Sequence, residues 1–284
     1  MGFAYLAHPM GELAYRVKGA GPRVLLMHAG IFGAWFEPLW DEPGLSRLEV
    51  IDYRRLGYAP SARPERVLSI AEHAEHAASL LDHLAGASAT VVGHSSAALM
   101  ALDLAFGRPD LVNGLVLVEP AFTDVPAHAA LGAQVVGPAI GRFKAGDVTG
   151  AFEVFMAGVC GESWQAVFDA RLGPGARAHA VLDAAWFFRY ETPAILGWRP
   201  EPDQLAQLTC PIALLGGARS DQVHPVFGEQ VRRAAELLPC ARVACLPGTH
   251  MAPLEYPRDL ANHIASFAAA ISAGAGSAVA GGRP

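Results

Sequence analysis

The sequence contains little charge and no extended apolar run. Charged residues make up 17% of the 284 residues, the net charge is −6, and Lys and Arg form no cluster. This composition argues against nucleic-acid binding, which needs a basic patch. No apolar run approaches the roughly 20 residues that a membrane-spanning helix requires, and the first residues lack the basic-then-apolar order of a secretory signal. We therefore expect a cytoplasmic protein with no nucleic-acid partner and no membrane partner.

Cysteine is scarce, and no cluster of metal-ligating residues is evident. The four cysteines form no C-x-x-C pair, so we expect reduced thiols and no zinc site; they are Cys160, Cys210, Cys240 and Cys245. His73 and His76 have a spacing found in metal sites, but no further ligand accompanies them. We interpret these two histidines as part of a solvent-exposed helix face, and we expect neither metal nor cofactor.

Short apolar runs alternate with helical patterns along most of the chain. An apolar–polar alternation over residues 3–18 predicts an antiparallel hairpin. The continuous apolar runs at residues 24–27 and 115–118 predict strands that are buried on both faces. Further strands are predicted over residues 48–52, 89–92, 211–215 and 242–246. Alternating strands and helices imply a doubly wound, mostly parallel sheet of about eight strands. The predicted fold class is therefore α/β.

Between residues 121 and 208 no buried-strand pattern occurs, and helical periodicity dominates. This change predicts a helical cap over residues 123–207, inserted into a core formed by residues 1–122 and 208–271. A short helix is predicted around Trp35–Trp40, and a final helix from about Pro257 to Ile271. The tail, residues 272–284, is rich in Gly, Ala and Ser, and we expect it to be disordered.

The most informative segment is Gly93-His94-Ser95-Ser96-Ala97, between a strand run and a helix run. A serine on so sharp a strand-to-helix turn has strained backbone geometry and an exposed Oγ. Small residues two positions before and after it allow strand and helix to approach closely. The following helix directs its free N–H groups at this site. The alternative is a serine that simply caps an ordinary helix.

Five polar residues follow the ends of predicted strands, where ligands bind in parallel α/β sheets; they are His28, Ser95, Glu119, Asp221 and His250. A serine hydroxyl becomes nucleophilic when a base is within reach and a carboxylate orients that base. Ser95, Asp221 and His250 follow one another in the order expected for such a triad on this type of sheet. Glu119 is the alternative acid, because it also ends a strand near the serine.

Four segments together resemble the α/β-hydrolase superfamily, in particular its cap-bearing esterases and carbon–carbon-bond hydrolases. The similarity covers nearly the whole chain before the tail. Ala29 and Ala97 stand where this family usually has glycine, and both remain small. The segments are His28-Ala29-Gly30, Arg55-Leu56-Gly57-Tyr58-Ala59-Pro60-Ser61, Gly93-His94-Ser95 and Gly248-Thr249-His250-Met251-Ala252-Pro253-Leu254-Glu255.

The resemblance implies a role for each matching residue. It implies Ser95 as nucleophile, His250 as general base and acid, and Asp221 as the residue that orients the histidine. It also implies an oxyanion hole formed by the backbone N–H groups of Gly30 and Ser96. For the substrate pocket, the residues that we name are His28, Ile31, His94 and Trp186.

The identity of the nucleophile limits the reactions that the resemblance allows. Relatives that open epoxides or displace halide have aspartate where this chain has Ser95, so these two reactions are not expected. The sequence therefore predicts a serine hydrolase that acts on a small or medium apolar ester, thioester or lactone. Carbon–carbon-bond hydrolysis and perhydrolysis use the same triad and stay open as alternatives. A non-catalytic small-molecule-binding module is the third hypothesis. The expected partner is a small-molecule substrate, and a homodimer is the candidate assembly.

Overall fold

An eight-stranded sheet forms the centre of the molecule in the computed structural model, which describes residues 2–200, 204–205 and 207–280. The strand order is β1-β2-β4-β3-β5-β6-β7-β8. The pairs β1–β2 and β2–β4 are antiparallel, and all other neighbouring pairs are parallel. This topology confirms the predicted mostly parallel α/β sheet. The strands are β1 (Ala4–Leu6), β2 (Leu13–Lys18), β3 (Arg23–Met27), β4 (Glu49–Tyr53), β5 (Ala89–His94), β6 (Val112–Val118), β7 (Ile212–Gly217) and β8 (Arg242–Leu246).

Helices connect the strands and cover both faces of the sheet. In chain order they are α1 (Ile70–His83), α2 (Ser96–Gly107), α3 (Ala127–Leu131), α4 (Gly137–Lys144), α5 (Val148–Cys160), α6 (Trp164–Leu172), α7 (Ala176–Trp186), α8 (Thr192–Gly197), α9 (Ser220–Val223), α10 (Val226–Leu237), α11 (Ala252–Glu255) and α12 (Pro257–Ala280). A π-helical turn, Phe187–Glu191, joins α7 to α8. Within the described residues, no helix combines the length and the apolar character needed to cross a bilayer.

The apolar strands contribute alternate side chains to two separate cores, because successive residues of a strand point to opposite faces. Leu25, Val91 and Leu115 pack with α1 and α2 on one face. Val92 and Val116 pack on the other face with side chains of α12. At the centre of the sheet both faces are covered, so strands β3, β5 and β6 are apolar along most of their length rather than alternating.

Helix α1 begins at a capping box formed by Ser69 and Glu72. The Ser69 hydroxyl accepts a hydrogen bond from the Glu72 N–H at 3.1 Å, and the Glu72 carboxylate accepts one from the Ser69 N–H at 2.8 Å. These bonds satisfy two backbone donors that a helix otherwise leaves unpaired at its start.

The segment between β6 and β7 carries helices α3–α8, here called the helical insertion. Its apolar core includes Phe152 and Phe168 and continues into the loop after β3 through Ile31 and Phe32. Phe227, which follows β7, belongs to the same core. The helical insertion therefore packs against loops that leave the carboxyl ends of the strands.

Two helix predictions differ from the structure. Turns rather than a helix occupy Trp35–Trp40, and a short 3-10 helix follows at Pro43–Leu45. Trp35 and Phe36 are almost fully buried, so packing determines this segment more than its helical spacing does. Helix α12 continues to Ala280, well beyond the predicted end at Ile271, because alanine favours helix. The rest of the tail predicted to be disordered, residues 281–284, lies outside the described residues.

His73 and His76 also differ from their interpretation as a solvent-exposed face. Each is only 1% exposed, and both ring nitrogens of each lack a hydrogen-bond partner. The His73 ring packs against Trp186 of α7, and the His76 ring packs against His8. Burial beneath the helical insertion and the first hairpin explains the difference, since neither covering element is readable from the helical spacing.

Candidate active site

Ser95 lies on the turn between β5 and α2 in a conformation that is rare for residues with a side chain, with φ 55° and ψ −119°. Its N–H donates to the Val118 carbonyl at 2.9 Å. A Cβ atom at Gly93 would lie 2.6 Å from the Ala97 carbonyl oxygen and 2.7 Å from Ala98 Cα. Position 93 is therefore restricted to glycine by the close approach of β5 and α2, whereas alanine is accommodated at position 97.

His250 follows β8 and is 6% exposed. Its Nδ1 lies 2.7 Å from Glu119 Oε2. A carboxylate accepts hydrogen bonds, so Nδ1 carries the proton and Nε2 is left unprotonated in the neutral ring. The ring stacks on Phe227 with centroids 4.4 Å apart and an interplanar angle of 24°. The imidazole is thus held in one tautomer and one orientation.

Glu119 ends β6 and is 2% exposed. Its Oε1 accepts a hydrogen bond from the Gly217 N–H at 2.7 Å, while Oε2 faces His250. Both carboxylate oxygens are therefore occupied. The alternative acid of the sequence prediction occupies the position next to the histidine.

Asp221 lies elsewhere, and its predicted role as the residue that orients His250 needs correction. The side chain is exposed, and Oδ1 accepts a hydrogen bond from the Gly228 N–H at 2.7 Å. Gly228 lies in the first turn of α10, where backbone N–H groups have no partner within the helix. Asp221 therefore accepts a hydrogen bond from one of these N–H groups. His250 instead pairs with Glu119, which follows β6.

Strained backbone is concentrated at this site. In the described part of the chain, four non-glycine residues have a positive φ, and three of them are Ile31 (68°), Ser95 (55°) and Glu119 (43°). Such conformations cost about 1–3 kcal/mol each and persist where the surrounding structure enforces them, typically at functional sites. A β-branched side chain at Ile31 makes that position especially unusual.

Gly30 and Ser96, the two residues predicted to form an oxyanion hole, are neighbours. The Gly30 N–H donates to Ser96 Oγ at 3.1 Å, and the Gly30 carbonyl accepts from Trp35 Nε1 at 2.9 Å. Ser96 is the first residue of α2. A backbone N–H at this position has no partner within the helix and lies at the positive end of its dipole.

Ser95, His250, Gly30 and Ser96 line one cavity with a volume of about 100 Å³. No hydrogen bond joins Ser95 to His250, both of which are described. None of the described residues that line the cavity is Lys, Arg, Asp or Glu. The other lining residues are mainly apolar, with Thr123, His128, Thr192 and Gln230 as polar exceptions; they are Ala29, Ile31, Trp35, Ala121, Leu131, Val136, Phe155, Val159, Phe187, Ile195, Leu196 and Phe227.

The arrangement of serine, histidine and acid on the carboxyl edge of the sheet agrees with a comparison against family models. A model of the alpha/beta hydrolase family matches residues 24–263, which includes every strand from β4 to β8 and most of β3. The chain belongs to the alpha/beta hydrolase family. Enzymes of this family that have solved structures share its fold.

An enol-lactonase from Burkholderia xenovorans superimposes with a TM-score of 0.76 at 18% identity, over 93% of this chain and 99% of the other. A thermophilic esterase from Thermogutta terrifontis gives a TM-score of 0.76 at 20% identity, over 95% and 98%. At these identities the likeness concerns the fold.

Among curated sequences, a 2-(acetamidomethylene)succinate hydrolase from Mesorhizobium japonicum is 34% identical over 126 residues, or 43% of this chain and 45% of that protein. The first curated relatives are matched over only 31% of their own length. The matches therefore identify the family of this chain and leave its reaction to be argued from its site.

Of the four residues predicted to line the pocket, Ile31 does so, and the other three are not among the residues that line the cavity. His28 Nδ1 bonds the Ala29 carbonyl at 2.8 Å, and Nε2 accepts from the Arg55 N–H at 3.1 Å. Burial, followed by the charges of Arg55 and Arg54, holds the pKa of His28 well below 6.5. His28 is therefore a neutral side chain that links the loop after β3 to the loop after β4 by hydrogen bonds.

His94 and Trp186 also have supporting positions. His94 Nε2 donates to the His250 carbonyl at 3.1 Å, and burial keeps the pKa of His94 well below 6.5. The side chain thus supports the backbone of His250. Trp186 Nε1 donates to the Pro64 carbonyl at 2.8 Å, and its ring covers Gly57, where a Cβ atom would lie 2.3 Å away.

Sequence reasoning did not identify Glu191, which is completely buried and forms a bidentate ion pair with Arg55, with nitrogen–oxygen distances of 3.0 and 3.1 Å. One signal is present in the sequence: Glu191 follows the aromatic run Trp186-Phe187-Phe188-Arg189-Tyr190. A carboxylate inside a stretch that must be buried needs a cationic partner. In the described residues, no group of three or more His, Cys, Asp or Glu side chains is arranged to hold a metal ion.

Proposed function

We propose that this chain is a serine hydrolase that cleaves a small or medium apolar carboxylic ester, thioester or lactone through an acyl-enzyme on Ser95. The observation that carries the proposal is the cavity shared by Ser95 and His250, with the histidine held by Glu119 at 2.7 Å. The helical insertion acts as a cap that encloses the substrate above the sheet edge.

In the first half of the reaction, Nε2 of His250 removes the proton of the Ser95 hydroxyl as its oxygen attacks the substrate carbonyl carbon. The Glu119 carboxylate stabilises the imidazolium that forms, without itself taking the proton. The histidine then gives this proton to the leaving alcohol, thiol or ring oxygen, and an acyl-enzyme remains. In the second half, His250 activates a water molecule that releases the acid and restores Ser95.

The negative charge of the tetrahedral intermediate would be stabilised by the N–H groups of Ser96 and Gly30. Ser96 offers a first-turn N–H of α2, and Gly30 is held opposite it. Loss of one such donor typically lowers kcat about 100- to 1000-fold. The strained backbone at Ser95 and Ile31 supports a catalytic role rather than a simple helix cap.

The cavity favours neutral, compact substrates. Its described lining offers no Lys or Arg side chain that would bind a substrate carboxylate. A cavity of about 150 Å³ accommodates benzene, so a volume of about 100 Å³ suits a short acyl group. Similarity to an enol-lactonase and an esterase supports ester and lactone substrates.

The test is hydrolysis of p-nitrophenyl acetate and butyrate by the wild type, by Ser95→Ala and by Ser272→Ala. Ser272 lies on α12, where its hydroxyl bonds the Ala268 carbonyl, and serves as the matched control. We expect Ser95→Ala to abolish turnover while Ser272→Ala keeps it. A fluorophosphonate probe, followed by peptide mass spectrometry, should label Ser95.

Two other results would contradict the proposal in different ways. A wild type that is labelled at Ser95 but cleaves no ester would move the assignment to carbon–carbon-bond hydrolysis or perhydrolysis, to be tested with a vinylogous diketone and with hydrogen peroxide. A wild type that is neither labelled nor active would indicate a small-molecule-binding module instead.

A further inference from the structure

A continuous set of buried hydrogen bonds runs from the helical insertion to the two oxyanion donors. It begins at Glu191, which is completely buried in the π-helical turn between α7 and α8. Arg55 donates to both of its carboxylate oxygens, and the Tyr58 hydroxyl donates to Oε2. The charge of the carboxylate is therefore compensated without solvent.

The protonation states of this group are fixed by their surroundings. Burial alone would lower the pKa of Arg55, but the Glu191 carboxylate more than offsets this, and the pKa lies above its usual value. Burial and the same carboxylate raise the pKa of the Tyr58 hydroxyl well above 10.0. Arg55 thus stays charged, and Tyr58 keeps the proton that it donates.

Ser96 connects this ion pair to the active site. Its Oγ donates to Glu191 Oε1 at 2.9 Å and accepts from the Gly30 N–H at 3.1 Å. Since the Ser96 hydroxyl donates its hydrogen bond to Glu191, the Ser96 oxygen presents only lone pairs to the Gly30 N–H. The direction of both bonds is determined by the carboxylate, which can only accept.

This connection sets the spacing of the two proposed oxyanion donors. Ser96 carries one donor on its own nitrogen and holds the other, the Gly30 N–H, with its side chain. The distance of 3.1 Å lies within the ordinary range for an N–H donor. In the proposed mechanism the same N–H also donates to the developing oxyanion. The Gly30 carbonyl is fixed independently by Trp35 Nε1.

We propose that Glu191, through the Ser96 hydroxyl, is a positioning residue for the oxyanion hole. When the helical insertion packs correctly on the core, Glu191 would align the Gly30 and Ser96 N–H groups. The inference rests on the proposed serine-hydrolase function. Glu191 itself touches neither Ser95 nor His250 in the described hydrogen bonds. Glu191 would affect the rate by keeping the two N–H donors in position at the moment when negative charge develops on the substrate oxygen.

A role of this kind affects the transition state more than substrate binding. Misplacement of a catalytic group by about 1 Å can cost about 100-fold in rate. We therefore expect Ser96→Ala and Glu191→Gln to lower kcat about 10- to 100-fold, less than the loss of an entire donor. KM should change by less than about threefold, because an interaction specific to the transition state leaves ground-state binding intact.

Asp183 provides a matched control for cap anchoring. It is the other buried carboxylate of the helical insertion that bridges to the core, and it accepts from the N–H groups of Gly33 and Ala59 at 3.0 and 3.1 Å and pairs with Arg63. It has no described hydrogen bond to Ser96 or Gly30. Asp183→Asn should thus weaken the contacts between the helical insertion and the core, while the hydrogen bonds that link Glu191, Ser96 and Gly30 stay intact.

The experiment measures kcat and KM for p-nitrophenyl butyrate, the inhibition constant of n-butylboronic acid and the melting temperature, for wild type and the three variants. Boronic acids form a tetrahedral adduct with the serine and report on the oxyanion hole. The expected result is a parallel loss of kcat and boronate affinity in Ser96→Ala and Glu191→Gln. Asp183→Asn should have a lower melting temperature but a kcat within about threefold of wild type.

Other outcomes overturn the inference. A Ser96→Ala enzyme with unchanged or higher kcat would show that the hydroxyl merely competes for the Gly30 N–H. If kcat and boronate affinity fall equally in Glu191→Gln and Asp183→Asn, Glu191 only holds the helical insertion on the core and does not position the oxyanion donors. If Glu191→Gln fails to fold because Arg55 is left unpaired, the kcat and boronate affinity of Ser96→Ala test the inference on their own. Absence of wild-type turnover and of Ser95 labelling would instead refute the proposed function.

Discussion

Glu119 Oε2 and His250 Nδ1 lie 2.7 Å apart, and both side chains are buried. This contact joins the end of β6 to the loop after β8 across the intervening strand β7, whose Gly217 N–H binds the second Glu119 oxygen. The acid of the proposed triad therefore comes from the strand next to the one that carries Ser95, whereas Asp221 caps a helix.

The first prediction concerns the identity of this acid. Glu119→Gln should lower kcat roughly 1000- to 10,000-fold, as expected when the histidine is held in the wrong tautomer. The Gly217 N–H requires the amide oxygen of the new side chain, so its NH2 group would face His250 Nδ1. This places the histidine proton on Nε2, where the base is needed. Steady-state hydrolysis of p-nitrophenyl butyrate measures the effect.

Asp221→Asn is the matched control for Glu119→Gln. The amide oxygen can still accept from the Gly228 N–H, and exposed substitutions usually change stability by less than about 0.5 kcal/mol. We expect activity close to that of the wild type. If Asp221→Asn were the inactive variant and Glu119→Gln the active one, the acid assignment drawn from the structure would be refuted.

The sequence identifies both acids but contains no basis for choosing between them. Glu119 and Asp221 each follow a strand, and β6 and β7 are neighbours in the sheet. The choice depends on the positive φ of Glu119, 43°, and on the turn that directs Asp221 toward α10. Both are consequences of tertiary packing rather than of local residue preference.

A second prediction concerns the elbow itself. Gly93→Ala should destabilise the protein by about 3 kcal/mol, at the upper end of the cost of overpacking a tight core. The new Cβ would meet backbone atoms at 2.6 and 2.7 Å, and backbone moves less readily than a side chain. Urea denaturation followed by circular dichroism would measure the loss.

Gly141→Ala is the control for this substitution. Gly141 lies in α4 with open space around its Cα, so an added methyl group meets nothing within 4 Å. Alanine is favoured over glycine in helices by about 1 kcal/mol, and we expect unchanged or greater stability. Equal stability of Gly93→Ala and wild type would contradict the argument for close strand–helix approach.

Local signals predicted some elements well and failed where burial was decisive. The capping box at Ser69 fixes the start of α1 because its hydrogen bonds are local. The segment Trp35–Trp40 has helical spacing but forms turns, since Trp35 packs in the core of the helical insertion whereas Phe36 and Trp40 pack in the core that includes α12. The position of Glu191 follows from the folding of that insertion over Arg55, more than a hundred residues earlier in the chain, and no local pattern encodes this pairing.

The third prediction follows from the buried histidines of α1. Burial, and then His8, lowers the pKa of His76 from 6.5 to about 4; Glu72 opposes this shift, and Arg66 and Arg55 add to it. Below pH 6.5 the unfolded chain binds a proton that the folded protein refuses, so stability falls as pH decreases toward 4. Between pH 7 and pH 5, His76 alone should remove about 2 kcal/mol.

Urea unfolding at pH 7, 6 and 5 measures this dependence. His76→Leu should reduce the loss of stability between pH 7 and pH 5 by about 2 kcal/mol. Part of the dependence should remain, because burial also lowers the pKa of His28, His73 and His94. His83, an exposed histidine at the end of the same helix, supplies the control variant His83→Gln, which should keep the wild-type slope. A His76→Leu protein with an unchanged slope would show that the pH dependence comes from other groups.

The fourth prediction concerns the size of the acyl group. Phe155 of α5 lines the cavity and packs edge-to-face on Phe187 at 5.3 Å. Removing its ring should enlarge a cavity of about 100 Å³ enough for a longer chain. Each accommodated methylene group is worth about tenfold or more in specificity. Phe155→Ala should therefore raise kcat/KM for p-nitrophenyl octanoate relative to the acetate by at least about tenfold.

Phe143→Ala separates this effect from a general loosening of the cap. Phe143 lies in α4 and packs on Phe188 at 5.7 Å, as Phe155 does at 5.8 Å, but it does not line the cavity. Both substitutions remove an aromatic ring from the same cluster, so both should weaken cap packing. If chain-length preference depends on the cavity wall, only Phe155→Ala changes it. A similar shift in Phe143→Ala would mean that cap mobility, rather than cavity volume, limits the length of the acyl group.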